Sequence, residues 1–283
     1  MKCSDTPCGC QDTILQDLSS PASVIAAIDA NFAEEMAAFG RYLPGAELRE
    51  DPEVEWFITG LPSSLFNGVL LTNILSDDID AKIEVIMGHY KARRVPMSWA
   101  VGQSTRPANL GAYLAARGFS HVHTQDGMAV ILSATKDLIV TPHNFHVDVV
   151  RDQEMLKLYM QISRRGFESS EDDVQVYYDT YTNIGFGKDL KWQHYIGWLD
   201  DEPVAVSSLL LHAGVAGVYG VATIPEARRQ GIGAAMTLAL LREARSRGYG
   251  VSVLSPSEMG LAMYRRLGFR EYCTVQIYSH QHD

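Results

Sequence analysis

Ten residues from the middle of the chain return near its end. Leu110–Phe119 (LGAYLAARGF) and Gly260–Phe269 (GLAMYRRLGF) both read as a short helix that stops at Gly-Phe, and they lie 150 residues apart in a chain of 283. Each follows a short apolar run, Met97–Val101 or Val251–Leu254. Before each run stands a helical pattern of about four turns, Asp78–Arg93 or Gly231–Arg247. Self-similarity at a fixed offset is the mark of a duplicated unit. It restricts the fold to one that can be built twice, with a first unit over 1–137, a second over 145–283, and a connection around 134–145.

The remaining elements fit that scheme. The first unit opens with a helix near Ser23–Phe39, apolar at Ile25, Ile28, Phe32, Met36 and Phe39, and continues with strands at Val54–Thr59 and Phe66–Leu71. It closes on a strand at Met128–Leu132, beyond the Gly-Phe stop. The second unit has a strand at His146–Val150, helices over Gln153–Arg165 and from Ser170 to Tyr181, and strands at Gln193–Leu199, Val204–His212 and Val215–Thr223, with strands again from Phe269 onward. Strands interleaved with helices predict an α/β (α+β) fold, a mixed sheet flanked by helices. The uncharged stretch Val204–Ile224 is interrupted by serines and glycines and is valine-rich, so two strands and a turn suit it better than a membrane span.

Composition narrows the function classes. With 46% hydrophobic and 20% charged residues the chain is an ordinary globular one. A net charge of −10 with no basic block argues against a nucleic-acid partner. The first thirty residues never build an apolar leader, which predicts a cytoplasmic protein without a membrane partner. Cys3, Cys8 and Cys10 are spaced C-x4-C-x-C, which matches no common zinc pattern, and no metal is expected.

One segment carries chemistry. In Thr223-Ile-Pro-Glu-Ala-Arg-Arg-Gln-Gly-Ile-Gly-Ala-Ala a strand ends, Pro225 stops the ladder, and a loop with Arg228, Arg229 and Gln230 opens a long helix at Gly231, Ile232, Gly233 and Ala234. The first N–H groups of a helix lack internal partners and sit at the positive end of its dipole. Glycines there admit a diphosphate close to the main chain, so the segment is an anion cradle. A dinucleotide fingerprint would need Gly or Ala where Met236 stands, and a P-loop would need a Gly-Lys-Ser/Thr that is missing.

Thirty-three residues after Gly231 comes Tyr264, within A-M-Y-R-R-L-G-F. The pair R-x-x-G-x-G/A and L/M-Y-x-x-x-G-F resembles the GCN5-related N-acetyltransferase (GNAT) family, here in a tandem form with a degenerate first half. The resemblance covers about residues 145–280. It implies that the amides of Arg229 through Ala234 bind the pyrophosphate of acetyl-CoA and that the strand Val221, Ala222, Thr223 pairs with the pantetheine arm. It further implies that Tyr264 acts as general acid to the leaving thiolate, with an amine of a small molecule or peptide as acceptor. Ser257 stands where the family often has Asn, which puts its contact with acetyl-CoA in doubt. The strand Val215–Thr223 carries no carboxylate, so the base must come from water or another segment. Phe167, Tyr178 and Tyr219 are candidate acceptor-lining residues, although Tyr177, Tyr178 and Tyr181 at helical spacing serve core packing equally well.

In the first half the counterpart of the cradle falls at Thr72–Asp80 (TNILSDDID), which has no R-x-x-G-x-G and would repel a diphosphate through Asp77, Asp78 and Asp80. The position 150 before Tyr264 is Leu114. A first half without acetyl transfer is therefore expected, packing on the second and completing the acceptor cleft in a monomer or homodimer. The competing expectation is a non-catalytic acyl-CoA-binding or protein-interaction module.

Overall fold

The computed structural model describes residues 13–75, 78–135, 141–187 and 190–281. Cys3, Cys8 and Cys10 lie outside them. The first half contains α1 (Pro21–Tyr42), β1 (Glu47–Glu50), β2 (Val54–Ile58), β3 (Asn67–Thr72), α2 (Ile79–Arg93), β4 (Met97–Val101), α3 (Leu110–Ala115) and β5 (Ser120–Ile131). The second contains β6 (Phe145–Val149), α4 (Gln153–Phe167), α5 (Glu171–Ile184), β7 (Trp192–Leu199), β8 (Glu202–His212), β9 (Val215–Thr223), α6 (Ile232–Ser246), β10 (Val251–Leu254), α7 (Glu258–Leu267) and β11 (Arg270–His280).

Local chemistry explains most of these ends. Ser20, Asp152, Ser170 and Ser257 each cap a helix by accepting a backbone N–H from three residues on. The uncharged stretch folds back at Ala213-Gly214, both at positive φ, which is the two-residue turn that suits the twist of a hairpin. Among the described residues no helix is long and apolar enough to cross a membrane.

The eleven strands form one sheet in the order β1-β2-β3-β4-β11-β5-β10-β9-β8-β7-β6. All pairs are antiparallel except β3–β4 and β9–β10, which occupy matching places in the two halves. At the centre the halves exchange their last strands. β5 of the first half pairs with β10 of the second, Val251 opposite Ile131, and β11 of the second half pairs with β4 of the first, Ile277 opposite Ala100. Met128 and Val130 of β5 and Leu132 just after it consequently pack in the core under α6 and α7, beside Leu267 and Phe269. Helices α2 and α3 cover β2–β4 in the same manner, with Trp99, Tyr90 and Leu114 buried. On the opposite face lie α4 and α5, and α1 crosses the middle to touch both halves.

Two readings of the sequence need adjusting. The expected strand Met128–Leu132 covers only the end of β5, Met128–Ile131. The strand begins at Ser120, and its exposed start, with His121, His123 and Thr124 around Val122, is held by backbone pairing with β11. The short edge strand β1 has no apolar alternation to reveal it, and it forms by pairing with β2.

Candidate active site

Parallel pairing of β9 with β10 is confined to Ala216–Ser252 and Gly217–Val253. Beyond Gly217 the two strands part, and β9 runs on to Thr223 with β8 as its sole neighbour. In this free stretch β9 carries one extra residue against β8, because Tyr219 pairs with Ser208 and Ala222 with Val206. Gly220 sits in that bulge at φ 59°, a conformation that glycine adopts without strain, and Ser207 Oγ donates to the Tyr219 carbonyl 3.0 Å away. The bulge re-aims the main chain of Gly220 and Val221 in the gap between the strands.

After Thr223 the chain makes a turn over Pro225–Ala227 and reaches α6 through Arg229 at φ 63° and Gly231 at φ 80°. Gly231 is the N-cap, and no side chain caps this helix, unlike α4, α5 and α7. The N–H groups of Ile232, Gly233 and Ala234 thus precede the first intrahelical bond, Ala235 N–H to Gly231. Arg229, Gln230 and Gly231 are exposed at the surface. These features fit an anionic diphosphate: free amides, a helix dipole and no competing side chain. Arg228 has a different place from that expected. Its Nε donates to the Thr223 carbonyl at 3.2 Å and its Nη2 to the Gly166 carbonyl at 2.8 Å, so it ties the end of β9 to the end of α4.

Tyr264 lies on α7 with its ring buried edge-on to Phe269. Burial pushes its phenol up to about 12, opposed in part by the Thr237 hydroxyl beside it. Ser257 is exposed and its hydroxyl accepts the Gly260 N–H, so it acts as the cap of the helix that carries Tyr264. Phe167 ends α4 and is 52% exposed. Tyr178 is half-buried at the edge of the cluster under α4 and α5.

The matching place in the first half is built differently. β3 also carries one extra residue, between Val69 and Leu71, but here it is Leu70, which is buried. The gap does not open. The Arg106 N–H donates to the Thr72 carbonyl at 2.9 Å and the Ile74 N–H to the Arg106 carbonyl at 3.0 Å, so the chain after β4 stays joined to the continuation of β3. Asp29 of α1 fills the adjoining space, accepting the N–H and hydroxyl of Ser104. Burial holds its carboxyl above the usual range.

Sequence reasoning missed the contribution of α1 to the second half. Asn31 Nδ2 donates to the His212 carbonyl at 2.9 Å, and its Oδ1 accepts the Tyr219 hydroxyl at 2.7 Å. One turn on is Glu35, whose charge is felt by the phenols of Tyr159, Tyr177, Tyr181 and Tyr219. Glu35 stands three residues after Phe32 and four before Phe39, inside the apolar stripe of the helix. A carboxylate in the apolar phase was the signal available. Among the described residues no group of three or more His, Cys, Asp or Glu is placed to hold a metal ion.

Comparison with known proteins agrees with this geometry. Residues 152–272 match the family model of the acetyltransferase (GNAT) domain. No curated protein matches the chain. Among solved structures, a GCN5-related N-acetyltransferase from Kribbella flavida is 19% identical with a TM-score of 0.68, over 89% of this chain and 96% of that one. A tandem GNAT protein from the clavulanic acid biosynthesis pathway is 14% identical with a TM-score of 0.61, over 94% and 95%. A GCN5-related N-acetyltransferase from Sphaerobacter thermophilus gives the same identity and TM-score, over 93% of each chain. At such identities the likeness is one of fold. The chain has the tandem GNAT fold, and residues 152–272 of its second half match the GNAT acetyltransferase domain.

Proposed function

We propose that this protein is an N-acetyltransferase that moves the acetyl group of acetyl-CoA directly to a primary amine of a small molecule or peptide, at one site in the second half. One observation supports this reading above the others: β9 parts from β10 and leads through left-handed Arg229 and Gly231 into an uncapped helix. An extended free edge followed by open amides is what a thiol arm ending in a diphosphate requires.

Each segment then has a task. The amides from Arg229 to Ala234 hold the pyrophosphate, with Gln230 and Ile232 inside the cradle, and Arg228 braces its approach. Val221, Ala222 and Thr223 pair with the pantetheine arm. A main-chain N–H at the Gly220 bulge faces the oxygen on which charge develops. The amine nitrogen forms a bond to the thioester carbon, the carbon–sulfur bond breaks, and the thiolate takes a proton. Tyr264 donates it, turning from Thr237 to the sulfur; burial keeps the phenol protonated at neutral pH. Ser257 contributes by capping α7. Phe167, Tyr178 and Tyr219 border the acceptor side. The first half takes no part in acetyl transfer through its own slot. A cytoplasmic, metal-free enzyme, monomeric or homodimeric, completes the proposal.

The contact of Tyr264 with Thr237 favours a second reading, a module that binds acyl-CoA or a protein partner without chemistry. Release of CoA thiol from acetyl-CoA, with and without primary amines, separates the two. The enzyme reading expects amine-stimulated release, reduced about 10- to 100-fold in Tyr264→Phe with acetyl-CoA binding retained. Release that is insensitive to every amine in a broad panel supports the module, and an unchanged rate in Tyr264→Phe removes the tyrosine from the mechanism.

A further inference from the structure

Resting on that reading, we propose that Glu35, carried by the first half, is the group that receives the acceptor's ammonium and takes its proton, and that the acceptor is an apolar-flanked aliphatic amine. Residues 31, 35, 38 and 42 fall on one face of α1. Three of them are fixed to the second half. Asn31 is bonded to Tyr219 and His212, Ala38 is buried in the core under α4 and α5, and the Tyr42 carbonyl accepts from Asn183 at 2.9 Å. Glu35 is therefore held over the same surface, between them.

That position lies between Tyr219 of β9, bonded to Asn31 one turn before it, and Tyr177 of α5, packed edge-on to Phe39 one turn after it at 5.1 Å. Tyr177 contacts Tyr181, and Tyr181 contacts Tyr159 of α4. The charge of Glu35 acts on all four phenols. His194 of β7 stacks on Tyr181 at 3.8 Å, and burial lowers its imidazole to about 3, so it is neutral. On its own helix Arg41 is occupied by Glu34 and Glu50. Among the described residues Glu35 has no hydrogen-bond or ion-pair partner, and it keeps partial access to solvent. A half-buried carboxylate beside aromatic side chains is a setting in which an alkylammonium is bound through both charge and ring quadrupoles.

The place is right for the reaction. Tyr219 precedes Gly220, the bulge residue, and a side chain built on Gly220 would come within 3.4 Å of the Tyr159 hydroxyl. Tyr219 thus joins the helix that carries Glu35 to the free edge of β9. A groove between the halves is lined by Leu61, Phe66, Asp173, Val176 and Asp179, and the Phe66 ring lies 6.0 Å from that of Tyr177.

The proton balance also fits. The ammonium gives one proton to the Glu35 carboxylate, the neutral nitrogen bonds to the thioester carbon, and the carbon–sulfur bond breaks. The sulfur receives the Tyr264 proton, and the second amine proton leaves to restore the tyrosine. Burial pushes the Glu35 carboxyl up to about 8. That is about two and a half pH units below an alkylammonium near 10.4, where an ordinary carboxylate would be about six below. The shift makes Glu35 a competent proton acceptor.

The test uses acetyl-CoA with 2-phenylethylamine and with n-butylamine, following CoA release from pH 6 to 10. In the wild type kcat/KM rises with pH through about 8, as Glu35 ionises. Glu35→Gln, which matches the neutral carboxyl in shape, lowers kcat/KM about 100-fold and removes that rise, while acetyl-CoA binds within about twofold of wild type. Should Glu35→Gln not fold, Glu35→Asp is read instead, with a smaller loss and the rise retained. Wild-type rates and pH dependence in Glu35→Gln overturn the proposal. So does a wild type that binds acetyl-CoA but releases no thiol to either amine. A wild type that fails to bind acetyl-CoA overturns the reading of the second half instead, and the Glu35 assignment with it.

Discussion

Each half carries a bulge in the first strand of its parallel pair, against that strand's antiparallel neighbour, and only one half has an open slot. In the second half the extra residue lies at Gly220 and Val221, and the sheet splits beyond Gly217. In the first half it is Leu70, the Asn73–Arg106 bridge joins the strands' continuations, and Asp29 fills what remains. The approach to the following helix differs in the same way. Left-handed Arg229 and Gly231 lead into α6, whereas Asp78 precedes α2. A handful of side chains separates a cradle from a closed surface on one fold. The closed half also reaches into the open one, because α1 sends Asp29 to its own half and Asn31 to the second half.

The strand exchange gives the sharpest way to break this comparison. Met128 belongs to the first half by sequence and to the second half's core by packing, where it is fully buried. Met128→Ala should cost about 2–5 kcal/mol. Urea unfolding should show a single transition in which signals from Trp56 and Trp99 coincide with those from Trp192 and Trp198. Separate transitions would mean that the halves fold independently in spite of the exchange.

A smaller loss is expected at the link between the halves. Asn31→Ala leaves the Tyr219 hydroxyl and the His212 carbonyl without their partner and should cost about 1–3 kcal/mol. The same variant should lower amine-dependent turnover more than acetyl-CoA affinity, checked by comparing kcat/KM with a binding isotherm. Smaller still is the effect of Arg228→Ala, which removes two main-chain bonds. About 0.5–1.5 kcal/mol, or roughly 2- to 12-fold in acetyl-CoA Kd, is expected if Arg228 braces the cradle. A much larger effect would point to direct contact of Arg228 with the phosphates.

The open start of α6 was legible because its signals are local. Gly231 and Gly233 after the two arginines read as a helix start, which the structure has at a left-handed Gly231 without a side-chain cap, and the Gly-Phe stops at 119 and 269 pointed to the repeat. The hairpin at Ala213-Gly214 was readable for the same reason. What escaped depends on contacts across the whole sheet. The polar start of β5 gave no alternation, since its place is set by β11. The exchange of β5 and β11 could not be read from either half alone. The charge of Arg228 is visible in the sequence, but its bonds to the carbonyls of Thr223 and Gly166 are not. Glu35 lay about 185 residues from Gly220 in a helix whose apolar stripe described only half of its environment.

The central claim is that one fold holds one open slot and one closed slot, and the number of acetyl-CoA molecules bound tests it most directly. Isothermal titration of acetyl-CoA into the full chain should give one site. The Gly231→Asp, Gly233→Asp double variant, confirmed as folded by circular dichroism, should lose it by at least about 100-fold through charge repulsion and the positive φ at 231. Two sites per chain, or one site that survives the double variant, would contradict the account.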